Sequence, residues 1–242
     1  MRGLMLSVWL LVPIGMGAYH YGPGVRQQEL DKSGDYLTLA QKAVQDGQHD
    51  KAVERFSKAL ESLPNDQVAE SQRIRLEKAK SQMLSQQLPA SYDELTTLLE
   101  ELQGDKQADP KVISETQDAL ASAKYYLTWL MRLEGTPRQE WEPEIESSRQ
   151  LYRLLAEQAT EQGDSTRAQK HQEDLEAAIR LARLDLSKLQ ALPLPSQCKN
   201  CCSGQCQCKC KGKKPGKSMK QGQKKEDARG AGSGPPPDGK GN

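Results

Sequence analysis

The residues best suited to chemistry in this chain are its six cysteines, Cys198, Cys201, Cys202, Cys206, Cys208 and Cys210, spaced C-x2-C-C-x3-C-x-C-x-C with none elsewhere. Thiolates this close together can surround a soft cation, which makes zinc or copper the candidate cofactor. If oxidised, the same residues form disulfides instead, and adjacent Cys201 and Cys202 then need partners elsewhere in the tail or on another chain. A third reading leaves them as incidental members of a low-complexity spacer. The three histidines are scattered: His20 beside an apolar leader, His49 in a turn, His171 on what reads as the polar face of a helix. Each is read as solvated surface. Glu140, Glu142, Glu144 and Glu146 cluster at a helix start, where the helix dipole favours acidic groups without any catalytic purpose. No glycine-rich phosphate loop follows a strand, and no nucleophile has a neighbouring base. Catalytic residues are therefore expected to be absent, and the chain reads as non-enzymatic.

The elements that would carry these residues are helices. The chain has 242 residues, is 5% aromatic with a single Phe, and is rich in Ala, Leu, Gln, Glu, Lys and Arg, which are helix formers. Strand-like alternation of Val, Ile and Thr is nearly missing. Apolar periodicity with Gly and Pro stops predicts about seven helices, over residues 34–46, 49–63, 66–87, 92–104, 110–133, 145–162 and 165–189. Pro89 and Ser91 are expected to break and cap the third, Gly47 to end the first, and the turn Gly163-Asp164-Ser165 to supply an N-cap for the last. The patch Tyr125, Tyr126, Leu127, Trp129, Leu130, Met131 and Leu133 is the expected centre of the core. In the last helix the expected buried face is Leu175, Ala178, Ile179, Ala182 and Leu186. The fold class is all-α: antiparallel helix pairs in a solenoid or bundle, with an apolar N-terminal helix and a disordered C-terminal tail. A long coiled coil is disfavoured because the Gly and Pro stops recur too often.

One stretch has a more specific pattern. Tyr36, Leu39, Ala40, Ala43, Gly47, Ala52, Phe56, Ala59 and Pro64 fall at the spacing of a helix-turn-helix unit that resembles a tetratricopeptide repeat. Tyr36 opens the first helix, Ala40 and Ala52 stand where the helices cross, Gly47 turns and Pro64 stops. The unit covers residues 34–67. A second copy over residues 150–183 lays Tyr152, Leu155, Ala156, Ala159, Gly163 and Ala168 on Tyr36, Leu39, Ala40, Ala43, Gly47 and Ala52, but has Gln172 in place of Phe56 and Arg180 in place of Pro64. The resemblance implies a module that binds another protein along the first helix of each pair. Carried over by position, it points to Leu37, Gln41, Val44 and Gln45 in the first unit and to Arg153, Glu157 and Thr160 in the second. Leu37 and Gln41 replace two of the residues with which some family members clamp a terminal carboxylate, so that mode of binding is disfavoured.

The two ends suggest a location. Residues 1–25 hold an apolar run after Arg2, interrupted only by Ser7 and Pro13 and followed by Tyr19, Tyr21 and Gly22-Pro23-Gly24. This is a cleaved signal peptide or an uncleaved transmembrane anchor, and both alternatives place the body outside the cytoplasm. Residues 26–190 form the helical domain and residues 191–242 the tail. Residues 197–242 carry 11 Lys or Arg against 3 Asp or Glu, whereas residues 1–196 carry 23 against 30. The tail is thus about +8 and the rest about −7. Cys208-Lys209-Cys210 resembles metallothionein, in which lysines offset a metal-thiolate cluster. Beyond Lys211 the chain cannot bury enough surface to offset its ordering entropy, and without interleaved aromatics nucleic acid is a poor partner. The expected function is a non-catalytic interaction scaffold of the bacterial envelope, either membrane-anchored or secreted to the periplasm, whose partner is another envelope or membrane protein. The alternative is a zinc- or copper-binding protein that acts through the cysteines at positions 198–210.

Overall fold

The computed structural model describes residues 23–199 and Ser203. Among the described residues the fold is all-α, with eight α-helices, one 3-10 turn and no strand. The helices are α1 (Pro23–Gln45), α2 (His49–Ser62), α3 (Val68–Leu84), α4 (Leu88–Gly104), α5 (Pro110–Leu133), α6 (Arg138–Glu161), α7 (Ser165–Arg183) and α8 (Leu186–Ala191), followed by the 3-10 turn Ser196–Cys198. The chain divides between Lys78 and Ala79 into two compact units.

The first unit contains α1, α2 and the part of α3 up to Lys78. Pro23 lies in the first turn of α1, where its missing N–H is not needed, so the expected breaker begins the helix. Gly47 ends the turn region in the left-handed conformation at φ +69°. There the Gln48 N–H donates to the Ala43 carbonyl at 2.8 Å and the Gly47 N–H to that of Val44 at 3.0 Å, satisfying two carbonyls of the last turn of α1. The chain then reverses into α2, whose Ala52, Phe56 and Ala59 form a stripe at i, i+4 and i+7. Ala40, Ala52 and Ala59 are fully buried, and with Ala43, Phe56 and Ile74 they form the core. Tyr36, Leu37, Val44, Leu60 and Leu63 pack at its edge. Such small residues let the two helix backbones approach. The Ser33 hydroxyl, also buried, donates to the Ala59 carbonyl at 3.0 Å and ties α1 to α2.

The second unit is built around α5. From Ala119 to Arg132 every residue is buried except Lys124. A helix buried on all sides must be covered on all sides. Helices α4 and α6 pack against α5, α7 packs against α6, and α8 and the 3-10 turn touch α5. Tyr125 stacks edge-on against Tyr126 and Trp129, with ring centroids 5.3 and 6.0 Å apart. Asp109 caps α5 by accepting the Lys111 N–H at 2.9 Å, and Pro110 fills its first position. Two more buried serines repeat the device of Ser33. Ser91 donates to the Ala79 carbonyl and Ser148 to that of Ala121, both at 2.8 Å. A partly buried knot also joins three helices: the Lys124 ammonium lies 2.7 Å from Glu144, while the Tyr92 hydroxyl donates to the same carboxylate at 3.2 Å.

Several helix boundaries differ from the sequence pattern. Pro89 does not end α3. It occupies the first turn of α4, which begins at Leu88, and Ser91 is buried four residues into that helix. The break comes instead at Gln86, a non-glycine residue at φ 66°, where the Gln87 N–H donates to the Gln82 carbonyl at 2.9 Å. Helix α6 begins at Arg138 and includes Pro143. Pro143 is close enough to the helix start that the one carbonyl it leaves without an N–H, that of exposed Gln139, faces solvent. The last predicted helix is two. The Arg132 guanidinium donates to the carbonyls of Leu181 and Leu184, ending α7, and Asp185 then starts α8. No helix among the described residues is long and apolar enough to cross a membrane. The apolar run expected to be a signal or anchor lies within residues 1–22, outside the described residues, as does the tail beyond Ser203.

Candidate functional site

The positions expected to meet a partner fall in both units. In the first, Gln41 and Gln45 are exposed on α1, while Leu37 and Val44 are half-buried against the core edge. Leu39, a repeat-defining position, is 43% exposed. It lies among the solvent-facing residues of α1. In the second unit, Arg153, Glu157 and Thr160 are exposed along α6. The Arg153 guanidinium donates to Glu157 at 2.9 Å, and the hydrogen bond to that carboxylate holds its pKa up. Glu157 and Thr160 line a shallow open groove of about 510 Å³ between α6 and α7, together with Ala156, Glu161, Ala168 and Gln169.

The internal alignment of the two hairpins is followed by some positions only. Gly47 and Gly163 adopt the same left-handed turn, at φ +69° and +74°, and Ala43 and Ala159 are both buried before it. Other positions diverge, before the turn and after it: Leu39 is 43% exposed but Leu155 is buried, and Ala40 is fully buried but Ala156 is half-buried. Ala52 is fully buried, whereas Ala168 is half-exposed in the groove. The face that α7 buries runs instead through His171, Asp174, Ala178 and Leu181.

That face carries the polar centre of the second unit. His171 is 1% exposed, and its Nδ1 lies 3.7 Å from Oδ1 of Asp118 on α5. The other Asp118 oxygen accepts from Lys170 at 3.0 Å. One ligand atom each from Asp118, His171 and Asp174 lies within 4.8 Å of the other two. These are the described residues that could hold a metal ion. Nearby, the hydroxyls of Ser122 and Tyr152 share a buried hydrogen bond at 3.0 Å. Burial first, and the Asp174 charge second, hold the Tyr152 hydroxyl well above its usual range. Burial also pushes the His171 imidazole down, outweighing the nearby Asp118 carboxylate, which raises it.

Sequence reasoning placed His171 on a solvated face, and the structure puts it in the interior. The available signal was the i, i+3, i+7, i+10 recurrence of His171, Asp174, Ala178 and Leu181. A search for apolar stripes passes over it in favour of Leu175, Ile179 and Leu186, of which the first two are half-buried and Leu186 is 43% exposed. His49 is half-buried at the start of α2. Of the six cysteines, Cys198 lies within the described residues. It is buried in the 3-10 turn, and its thiol lies 3.6 Å from the Tyr126 carbonyl. Ser203 then donates to Glu134, through its N–H at 3.0 Å and its hydroxyl at 2.5 Å. Cys201, Cys202, Cys206, Cys208 and Cys210 fall outside the described residues.

Comparison with protein-family models, with curated proteins and with solved structures finds no match to this chain.

Proposed function

We propose that this chain is a non-catalytic helical scaffold that holds another protein, working in the bacterial envelope with its N-terminal segment as signal or anchor. The observation that carries this reading is the open groove of α6 and α7. It is lined by short, amide and carboxylate side chains, and it includes Glu157 and Thr160, two of the positions that the repeat resemblance assigns to partner contact. Such a shallow surface suits a polypeptide better than a small substrate, which needs an enclosing pocket to bury most of its area. The hairpin of α1 and α2 supports the same reading, because its crossing uses Ala40, Ala52 and Ala59 at full burial and leaves Gln41 and Gln45 outward.

The test is cross-linking in native membranes of the bacterium that encodes the chain, comparing the wild type with Thr160→Arg and Ala168→Trp. Both changes fill the groove from exposed or half-exposed positions, so helicity should be unchanged while capture of a defined partner falls at least tenfold. If the wild type captures only a random set of neighbours, or if both variants capture the same partner as well as it does, the reading fails.

A further inference from the structure

The buried contact of α5 with α7 has a composition that a purely structural helix contact does not need. An apolar triplet at Asp118, His171 and Asp174 would pack the same space without removing charged and polar groups from water, which is costly unless each is compensated. Lys170 compensates one oxygen of Asp118. Oδ1 of Asp118 and Nδ1 of His171, however, are both buried with no hydrogen-bond partner among the described residues, and they face one another at 3.7 Å. An imidazole nitrogen and a carboxylate oxygen at that distance are too far apart for a good hydrogen bond. They are well spaced to share a third atom. Two donors each about 2.1 Å from a common ion stand about 3.4 Å apart in a tetrahedron and somewhat farther in more open geometries.

We propose that Asp118, His171 and Asp174 form a binding site for one divalent transition-metal ion that joins α5 to α7. Their ligand atoms lie within 4.8 Å of one another, so side-chain rotation closing the widest gap by roughly 1 Å brings all three to bonding distance. One imidazole with two carboxylates suits zinc, cobalt, manganese or ferrous iron. It suits copper(I) poorly, which prefers sulfur, and calcium poorly, which prefers oxygen alone. Lys170, on the far oxygen of Asp118, then acts as an outer partner that orients the ligand. His171 and Asp174 are one turn apart on α7, and Asp118 comes from another helix. Binding therefore requires both helices in place and stabilises the folded unit by mass action. Its imidazole and carboxylate donors differ in chemistry from the thiolates of the tail.

Cobalt(II) tells the two apart, because thiolate ligands give it intense near-ultraviolet charge-transfer absorption that nitrogen and oxygen ligands do not. The full chain, reduced and stripped with a chelator, is titrated with cobalt(II) while absorbance and far-ultraviolet circular dichroism are followed. Wild type should bind one equivalent without the thiolate band. At about a hundredfold excess over the dissociation constant, its thermal midpoint should rise by about 5–10 °C. His171→Gln and Asp118→Asn should each lose that equivalent and the thermal shift, while any thiolate-bound cobalt stays. If His171→Gln fails to fold, Asp118→Asn decides, since its side chain is partly solvent-accessible and nearly unchanged in shape. Cobalt bound only with the thiolate band, a wild-type midpoint that does not move, or equal uptake by wild type and Asp118→Asn each overturns the site.

Discussion

Two glycines show how one residue type serves opposite ends in this fold. Gly34 lies inside α1 with ordinary helical backbone, and Gly47 lies beyond its end at φ +69°. A β-carbon added at either would meet nothing within 4 Å, so contacts cancel out and the backbone alone decides. Gly34→Ala should raise stability by about 0.5–1 kcal/mol by restricting the unfolded chain. Gly47→Ala should lower it by about 1 kcal/mol because an L-residue is strained there. Chemical denaturation of the two variants, with unchanged m-values, checks both signs. The sequence already marked Gly47, since it stands between two apolar-periodic segments. It did not mark Gln86, which performs the same turn without being glycine. Nor did it mark His171 or Asp118, because polar residues on a buried face look like surface until a second helix is known to cover them.

Helix ends in this protein are decided by tertiary contacts as often as by local signals. Proline was read as a stop, yet Pro23 and Pro89 each lie in a first turn and Pro143 lies just past one. The residue type fits either side of a boundary, and periodicity alone does not say which. By contrast, α5 was legible, with its limits at Pro110 and Leu133, because both cap signals and composition agreed. The end of α7 was not, for its cause is Arg132, which is about fifty positions away in the chain. That guanidinium donates to the carbonyls of Leu181 in α7 and Leu184 just past it, and stacks over the Trp141 ring at 4.8 Å. Burial lowers its pKa, and Asp185 partly opposes the shift. Arg132→Met keeps the length and removes both donors, leaving two carbonyls without them. We expect a loss of about 2–4 kcal/mol in urea unfolding, with Arg132→Lys recovering only part of it.

At the scale of the molecule, the body extends past the last predicted helix. Leu189 and Cys198 are buried, and Ser203 is bonded to Glu134. A chain ending at Leu192 should have a thermal midpoint about 5 °C below that of one ending after Ser203. That figure corresponds to about 2 kcal/mol for the buried thiol and the carboxylate hydrogen bonds. Differential scanning calorimetry of the two truncations distinguishes them. The three serines that donate to alanine carbonyls have another consequence, for mutational tolerance. At Ser33, Ser91 and Ser148 the side-chain oxygen already touches the backbone of the facing helix. Any heavier side chain would have to push that helix away, so these positions accept alanine or glycine and little else. Most of the exposed charges of the body can change with small effect. Intolerance in this chain therefore tracks how closely two backbones approach, and three of its most restrictive sites are small and polar.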